Sequence, residues 1–537
     1  MTAKPQASVS PMAPFGHRAF TVLWIATVAS NIGTWMHDVG AGWLMTELAP
    51  SPLMVASVQA ATTLPVFLFA LLAGAIADIV DRRKLLIWVN VAMGIAAAMM
   101  AVMVHLDWIT PTVLLLFTFI FGTGAAFIAP AWQAIVPRLV PRPELSAAIA
   151  LNSMGINVSR AIGPALAGFL IVAAGLAAPF VVNALSVLGI IAALWWWRPE
   201  HSKSTTLPPE HVGGAMVAGL RYAMHSGPLK ATLLRAFGFF AFASAFWAML
   251  PLVARDVLAG GPTLYGILLA AVGAGAVGGA LILPKIKARL GADRTVAAGT
   301  AGTAAVLLVL ALLPLQPIAV AAAGLAGFSW IAVLSSLNVS AQTSLPDWVR
   351  ARGLSIFLTV FFGSMSLGSL AWGQVASVWG IPTALIAAAV GAVVVIPLLR
   401  IAKLGQGETV DLAPSMHWPT PMVSGDDDAS GPVAVRIDYR VDPQNQSRFG
   451  DLMRDLSQSR RRGGGYHWTL MQDAEDPERF IESWTEASWT QHLRHHERVT
   501  GADKAIQDEI RTLLHDGTEP RVVHLITPRT EDAEPKE

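Results

Sequence analysis

The chain has 537 residues, of which 54% are hydrophobic and 14% charged, with a formal net charge of +1 and no cysteine. A soluble chain carries about 25% charged residues, so the composition excludes an ordinary soluble protein, and the charge balance offers nothing to nucleic acid. The lack of cysteine excludes disulfides and thiolate metal sites.

In chain order, residues 1–15 (MTAKPQASVSPMAPF) are polar and proline-bearing, lack the apolar core of a signal peptide, and are expected to be a disordered cytoplasmic start. Twelve candidate spans follow, at roughly 20–46, 52–76, 85–105, 110–135, 144–173, 177–197, 230–257, 263–283, 294–313, 317–340, 352–377 and 381–402. Each is long enough to cross a ~30 Å hydrocarbon core as a helix. Glycine and proline within them (Pro65, Gly163-Pro164, Gly273, Gly275) are tolerated in membrane spans, where neighbouring helices re-satisfy the backbone.

Lysine and arginine set the orientation. Arg82-Arg83-Lys84, Arg138 and Arg142, the segment 198–230, the segment 285–294, and Arg350 with Arg352 all fall in connections after even-numbered spans. Arg255 alone stands near a connection on the other side. The positive-inside bias then puts the basic loops and both termini in the cytoplasm. Tryptophans near span ends, among them Trp108, Trp195 to Trp197, Trp348 and Trp379, suit an interfacial belt.

A short repeat supports two halves. QAIVPRLV (133–140) after span 4 matches QTSLPDWV (342–349) after span 10. The expected layout is an N-terminal six-helix half over 16–197, a central cytoplasmic loop over 198–229 and a C-terminal six-helix half over 230–404. That is a transporter plan, with its site near the midplane between the halves.

The loop GAIADIVDRRK (74–84) resembles the signature loop between helices 2 and 3 of major facilitator superfamily transporters, at Gly74, Asp78, Arg82 and Arg83, with Asp81 where that family usually has glycine. On physical grounds Gly74 allows close helix approach, Asp78 accepts hydrogen bonds at a helix end, and the arginines hold the headgroups and bridge to neighbouring carboxylates. Together they are expected to form a gating latch. The alternative is a plain positive-inside anchor. WMHDVGAGWLMTELAPSP (35–52) and NVSRAIGPALAGFL (157–170) are similar to the enterobactin-exporter-like, or transmembrane secretion effector, branch. That resemblance implies export of siderophores or other drug-sized molecules driven by protons across the cytoplasmic membrane.

Gly163-Pro164 and Gly168 resemble the Gly-Pro motif of the exporting branches, with small residues replacing two of its glycines. Small residues on one face allow close packing, and Pro164 removes a backbone bond. Charges inside spans usually face a cavity. Asp38 and Arg160 lie at similar depth in spans 1 and 5, where they are able to pair, and Asn31, Trp35, Asp38 and Gly42 share one face of span 1. Asp38 is the expected proton carrier and His37 the other titratable candidate. Gln59, Asn152, Asn157, Asn183, Asn338, Gln342 and Gln374 are secondary candidates.

Residues 405–431 read as a linker, 432–528 as a further domain and 529–537 as a tail. The domain alternates as strand (433–441), amphipathic helix, two strands split by Asp-Pro, one helical segment (487–514) and a last strand, the ferredoxin-like order. RFIESWTEASWTQHLRHHERVT (479–500) resembles the antibiotic-biosynthesis-monooxygenase type of α+β domain, which implies pairing through the sheets into a homodimer. His492, His495 and His496 sit at i, i+3 and i+4, either on a solvated helix or as ligands for metal or haem. The reading adopted has no metal, no cofactor and no enzymatic activity. Its partners are a small-molecule substrate, protons and the lipid bilayer. An importer of the same fold and a membrane-tethered oxygenase are the rivals.

Overall fold

The structure, a computed structural model, describes residues 10–49, 51–198, 212–405, 410–418, 431–515 and 518–526. The first nine residues, 199–211 of the central loop, most of the linker and the tail 529–537 lie outside them. By internal contacts the chain divides into two units. One comprises Met1–Pro208, Leu234–Asn338 and Phe357–Ile401; the other comprises Pro209–Leu233, Val339–Ile356 and Ala402–Glu537.

The first unit is helical. The six expected N-terminal spans form α1 (Arg18–Leu48), α2 (Pro52–Ile79), α3 (Arg82–His105), α4 (Pro111–Ile135), α5 (Leu145–Ala174) and α6 (Ala178–Trp196). Proline opens α2 and α4 at their first turn, where a missing N–H costs nothing. Helix α1 packs on α5 and α6, α2 on α4, and α3 on α4 and α6. The start of the chain is more ordered than expected: Ala13–Gly16 forms a 3₁₀ turn, and the Phe15 ring sits edge-on to Phe20 and Trp24.

Beyond the central loop come α8 (Gly227–Leu252, extended by a π-helical turn at Val253–Val257), α9 (Pro262–Leu312), α10 (Gln316–Thr343), α11 (Arg350–Trp379) and α12 (Ile381–Leu398). In all, 11 helices among the described residues are long and apolar enough to cross a membrane. The two spans expected at 263–283 and 294–313 are joined in α9, which has 51 residues. The basic stretch PKIKARL between them stays helical, and the break falls only at Gly291, at φ 74° and ψ 171°. Positive φ is open to glycine without strain.

Helices α9 and α10 cross backbone to backbone. A Cβ at Gly275 would lie 1.9 Å from the Gly324 carbonyl oxygen, and one at Gly327 would lie 1.8 Å from that of Val272. Neither carbonyl moves without moving its helix. Gly327→Val is expected to destabilise this half by about 3 kcal/mol, the upper end for overpacking. Tryptophan fluorescence on heating the detergent-purified chain measures it; an unshifted melting midpoint would mean the crossing has slack.

The second unit holds an element that sequence reasoning missed. The expected central loop contains α7 (Val212–His225), which buries Ala218, Tyr222 and Ala223 at helical spacing. Its Gly213-Gly214 start reads as a turn, which hid it. Tyr222 donates to the Ser344 carbonyl and sits edge-on to Trp348. The Arg498 guanidinium lies 4.2 Å from the Trp348 ring centroid.

The C-terminal part of this unit runs β1 (Val433–Arg440), α13 (Gln446–Gly463), β2 (Tyr466–Gln472), β3 (Arg479–Glu486), α14 (Trp489–Arg498), α15 (Gly501–Thr512) and β4 (Arg521–Ile526). The strands form one antiparallel sheet in the order β2-β3-β1-β4. Strand β1 alternates as its sequence does, turning Val433, Val435, Ile437 and Tyr439 toward Phe449, Leu452 and Leu456 of α13. The single helical segment expected over 487–514 is two helices. Thr500 and Asp503 form a reciprocal capping box that starts α15, and Val499 is extended. The linker is not wholly free: Ser415 N–H donates to the Val499 carbonyl, and Trp418 Nε1 to Gln507.

Candidate functional site

A cavity of about 330 Å³ opens inside the first unit, between the two sets of helices. Trp35 and Asp38 from α1, Gln59 and Thr62 from α2 and Arg160 from α5 form one wall. Trp247 from α8, Tyr265 from α9, Trp330 from α10 and Phe361 from α11 form the other. The first wall offers a carboxylate, an amide, a hydroxyl and a guanidinium. The second offers π faces: Trp247 and Trp330 lie 5.2 Å apart by ring centroid, and Trp330 and Phe361 6.1 Å. A few polar groups in an otherwise apolar concavity suit an amphipathic small molecule.

The expected face of α1 is only partly right. Trp35, Asp38 and Gly42 line the cavity, and Asn31 does not. Asp38 and Arg160 share the cavity without closing an ion pair among the described residues. The Arg160 guanidinium instead sits 5.4 Å from the Trp35 ring centroid, and its buried Nε has no hydrogen-bond partner among the described residues. His37 is one step round the helix and points elsewhere. It is 1% exposed, lies 4.0 Å from the Phe121 ring centroid and 4.9 Å from that of Phe180, and neither ring nitrogen has a partner among the described residues.

Glycines close the seams beside the cavity. A Cβ at Gly168 would lie 2.7 Å from the Pro262 carbonyl oxygen, one at Gly266 would lie 2.6 Å from that of Pro164, and one at Gly273 would lie 2.8 Å from Ala161 Cα. A Cβ at Gly163 would lie 2.6 Å from that of Trp35 on α1. The other seam joins α2 to α11. Leu53 N–H donates to Ser377 Oγ at 3.0 Å, and a Cβ at Gly373 would lie 2.5 Å from that of Ala56. These approaches fall in the half where α2 and α9 begin and α5 and α11 finish.

The 74–84 loop differs from expectation. Among the described residues, a Cβ at Gly74 would meet nothing within 4 Å. The side chain of Asp78 lies outside the described residues. Arg82 opens α3. Among the described residues Arg83 bridges to no carboxylate: its Nε donates to the Leu194 carbonyl at 2.7 Å and its Nη2 to that of Trp195 at 2.8 Å, satisfying the last turn of α6. Asp81 is the N-cap of α3, accepting from the Lys84 N–H at 3.0 Å, which gives a reason for aspartate at that position.

The sheet domain buries charge as well. Glu482 accepts from Tyr439 Oη, Arg460 Nε and Nη2, and Trp468 Nε1 at 2.9 to 3.3 Å. Glu486 on the same face of β3 accepts from Trp484 Nε1, His492 Nδ1 and His495 Nδ1. Burial raises the Glu486 pKa, yet His495 and His492 outweigh it and hold the carboxyl below its ordinary range. His492 and His495 are 1% exposed, so α14 is not a solvated helix. Burial, and then the charges of His492, His495 and His524, push His496 down to about 3. A cavity of about 270 Å³ lies against His492, His496 and His524, partly roofed by Trp418.

The transmembrane secretion effector family matches the chain over residues 9–532, so the match includes the sheet domain. The staphyloferrin A transporter of Staphylococcus aureus (strain NCTC 8325 / PS 47) is 25% identical over 357 residues, 65% of this chain and 87% of that protein. Macrolide efflux protein A of Streptococcus pyogenes is 24% identical over 174 residues, 32% of this chain and 42% of that protein. Among solved structures, a POT family transporter in complex with a thioalcohol-conjugated peptide superposes with a TM-score of 0.59 at 13% identity, over 73% of this chain and 99% of that one. An inward-facing, unoccupied bacterial homologue of the human lysosomal transporter Spinster gives 0.53 at 15% identity, over 74% and 96%. These likenesses carry the fold alone. With its apolar helices, its two-walled cavity and a family match along nearly its whole length, the chain is a transporter of the major facilitator type and belongs to the transmembrane secretion effector family.

Proposed function

We propose that the protein is a proton-coupled exporter of an amphipathic, siderophore- or drug-sized molecule, working by alternating access. The observation that carries this reading is the cavity, with Asp38 and Arg160 on one wall and Trp247, Trp330 and Phe361 on the other. Its likeness to a staphyloferrin A transporter and to a macrolide efflux protein supports the size class, and the second likeness supports the direction. In this reading α9 crosses twice, with its turn at Gly291, giving twelve crossings in two six-helix halves with both termini cytoplasmic. The tight seams then lie on the outer side, and the cavity is closed to the outside. Asp38 carries the proton, with Arg160 beside it and Trp35 beneath Arg160. His37, held among phenylalanine rings, has no part in the path. The 74–84 loop acts as the gating element, anchored through Arg83 with Arg82 beside it. The C-terminal part is a ferredoxin-like cytoplasmic domain with a ligand-sensing role. These domains pair through their sheets, and the exposed Met471 and Leu525 support that contact.

Inverted membrane vesicles made acid inside test the function. Offered a panel of siderophores, macrolides and amphipathic dyes, they are expected to accumulate at least one compound, and a protonophore to abolish the gain. Accumulation that survives the protonophore would remove proton coupling. Uptake found only in right-side-out vesicles would make the protein an importer.

A further inference from the structure

Three histidines of the sheet domain converge although the sequence separates them. His492 and His496 project from one face of α14 at i and i+4, and His524 comes from the edge strand β4. One ring nitrogen from each lies within 4.8 Å of the others. The tightest pair is His492 Nε2 and His496 Nε2, 3.1 Å apart. Two ring nitrogens bound to one tetrahedral ion at about 2.0–2.1 Å lie ~3.4 Å apart.

The surroundings supply what a metal site needs beyond its ligands. Glu486 takes the Nδ1–H of His492 at 2.9 Å, which leaves the Nε2 lone pair of that ring facing the cluster. A carboxylate behind a histidine is the usual device that fixes a ligand's tautomer and raises its basicity. The same carboxylate takes His495 Nδ1 at 2.6 Å, so Glu486 is locked in place from a second side. Trp489 packs 5.2 Å from the His492 ring centroid and limits its rotation. The three rings border the cavity of about 270 Å³, leaving space for a fourth, exogenous donor.

From this geometry we infer that His492, His496 and His524 form a divalent transition-metal site with an open coordination position, oriented by Glu486. Three imidazoles with no thiolate and no carboxylate in the inner set select borderline ions, zinc among them, over calcium or magnesium. The open position faces the cavity, where it takes water or an oxygen donor of a bound small molecule. This site is independent of the transport reading and stands or falls without it.

Full-length protein carrying no histidine tag, purified in detergent and stripped with a chelator, tests the site. Zinc titrated against a competing fluorescent chelator is expected to bind one ion per chain at submicromolar concentration. Cobalt(II) is expected to give the intense visible bands of a low-coordinate nitrogen site. His524→Ala should weaken zinc binding at least about 100-fold, and Glu486→Gln about 10- to 100-fold, the usual loss on removing such a support. His515→Gln, whose ring pairs with Asp442 and Glu478 away from the cluster, should bind as wild type does. His496→Gln serves as a second ligand variant should His524→Ala fail to fold. Wild-type protein that binds no stoichiometric zinc would overturn the site. So would folded ligand variants that bind zinc as tightly as wild type, since the ion would then be held elsewhere.

Discussion

Asp38→Asn is expected to cut proton-driven accumulation in inverted vesicles at least about tenfold, equivalent to ~1.4 kcal/mol, while gradient-free exchange of labelled for unlabelled substrate continues. Asp38 is the one carboxylate that lines the cavity, and no ion pair holds it, among the described residues. It can therefore take or release a proton without first breaking a salt bridge. Asparagine keeps the size and polarity of the protonated acid but cannot ionise, so the coupling step fails while binding survives. The two assays separate the roles. Loss of both net uptake and exchange would make Asp38 a substrate contact, and retention of both would remove it from the mechanism.

Gly168→Val is the second large effect. Its added side chain begins 2.7 Å from the Pro262 carbonyl oxygen, a backbone atom that yields only if α5 and α9 part. An overpacking cost of about 2–3 kcal/mol on the closed seam shifts an access equilibrium roughly 30- to 150-fold toward the open one. The expected result is a folded protein that transports at least tenfold more slowly and exposes its second seam. The natural lack of cysteine makes the readout clean: Ser377→Cys, placed where Leu53 now donates to Ser377, should react faster with an impermeant thiol reagent in the Gly168→Val background. Unchanged labelling with normal transport would mean that the seam absorbs the side chain locally.

Much of the membrane part is legible in one dimension because length and hydropathy alone specify a span, and a charge such as Asp38 or Arg160 stands out against it. What fails is anything that needs the angle around a helix or a partner from far along the chain. His37 adjoins Asp38 in sequence yet turns about 100° away from it, into phenylalanine rings. Trp247, Trp330 and Phe361 escaped notice because an aromatic inside a span is ordinary; only the fold gathers them on one wall. Gly163 and Gly168 were readable as a packing motif, but Gly266, against which Gly168 packs, carries no local signal. In the sheet domain the Thr500–Asp503 capping box is a local signal that marks the break between α14 and α15, whereas nothing local ties His524 to His492.

The division of the cavity into two unlike walls has a consequence for affinity. In the proposed cycle the walls belong to bodies that move apart: hydrogen bonds and charge stay with α1, α2 and α5, and π contacts with α8 to α11. A molecule between them is held as by two weak tethers, whose joint strength exceeds either one only while both are engaged. Separation of the walls removes that gain at once, so the motion that exposes the cargo also loosens it. Release then needs no dedicated low-affinity pocket, and selectivity becomes a matter of shape: a cargo must be wide enough to reach both walls and have an unlike face for each.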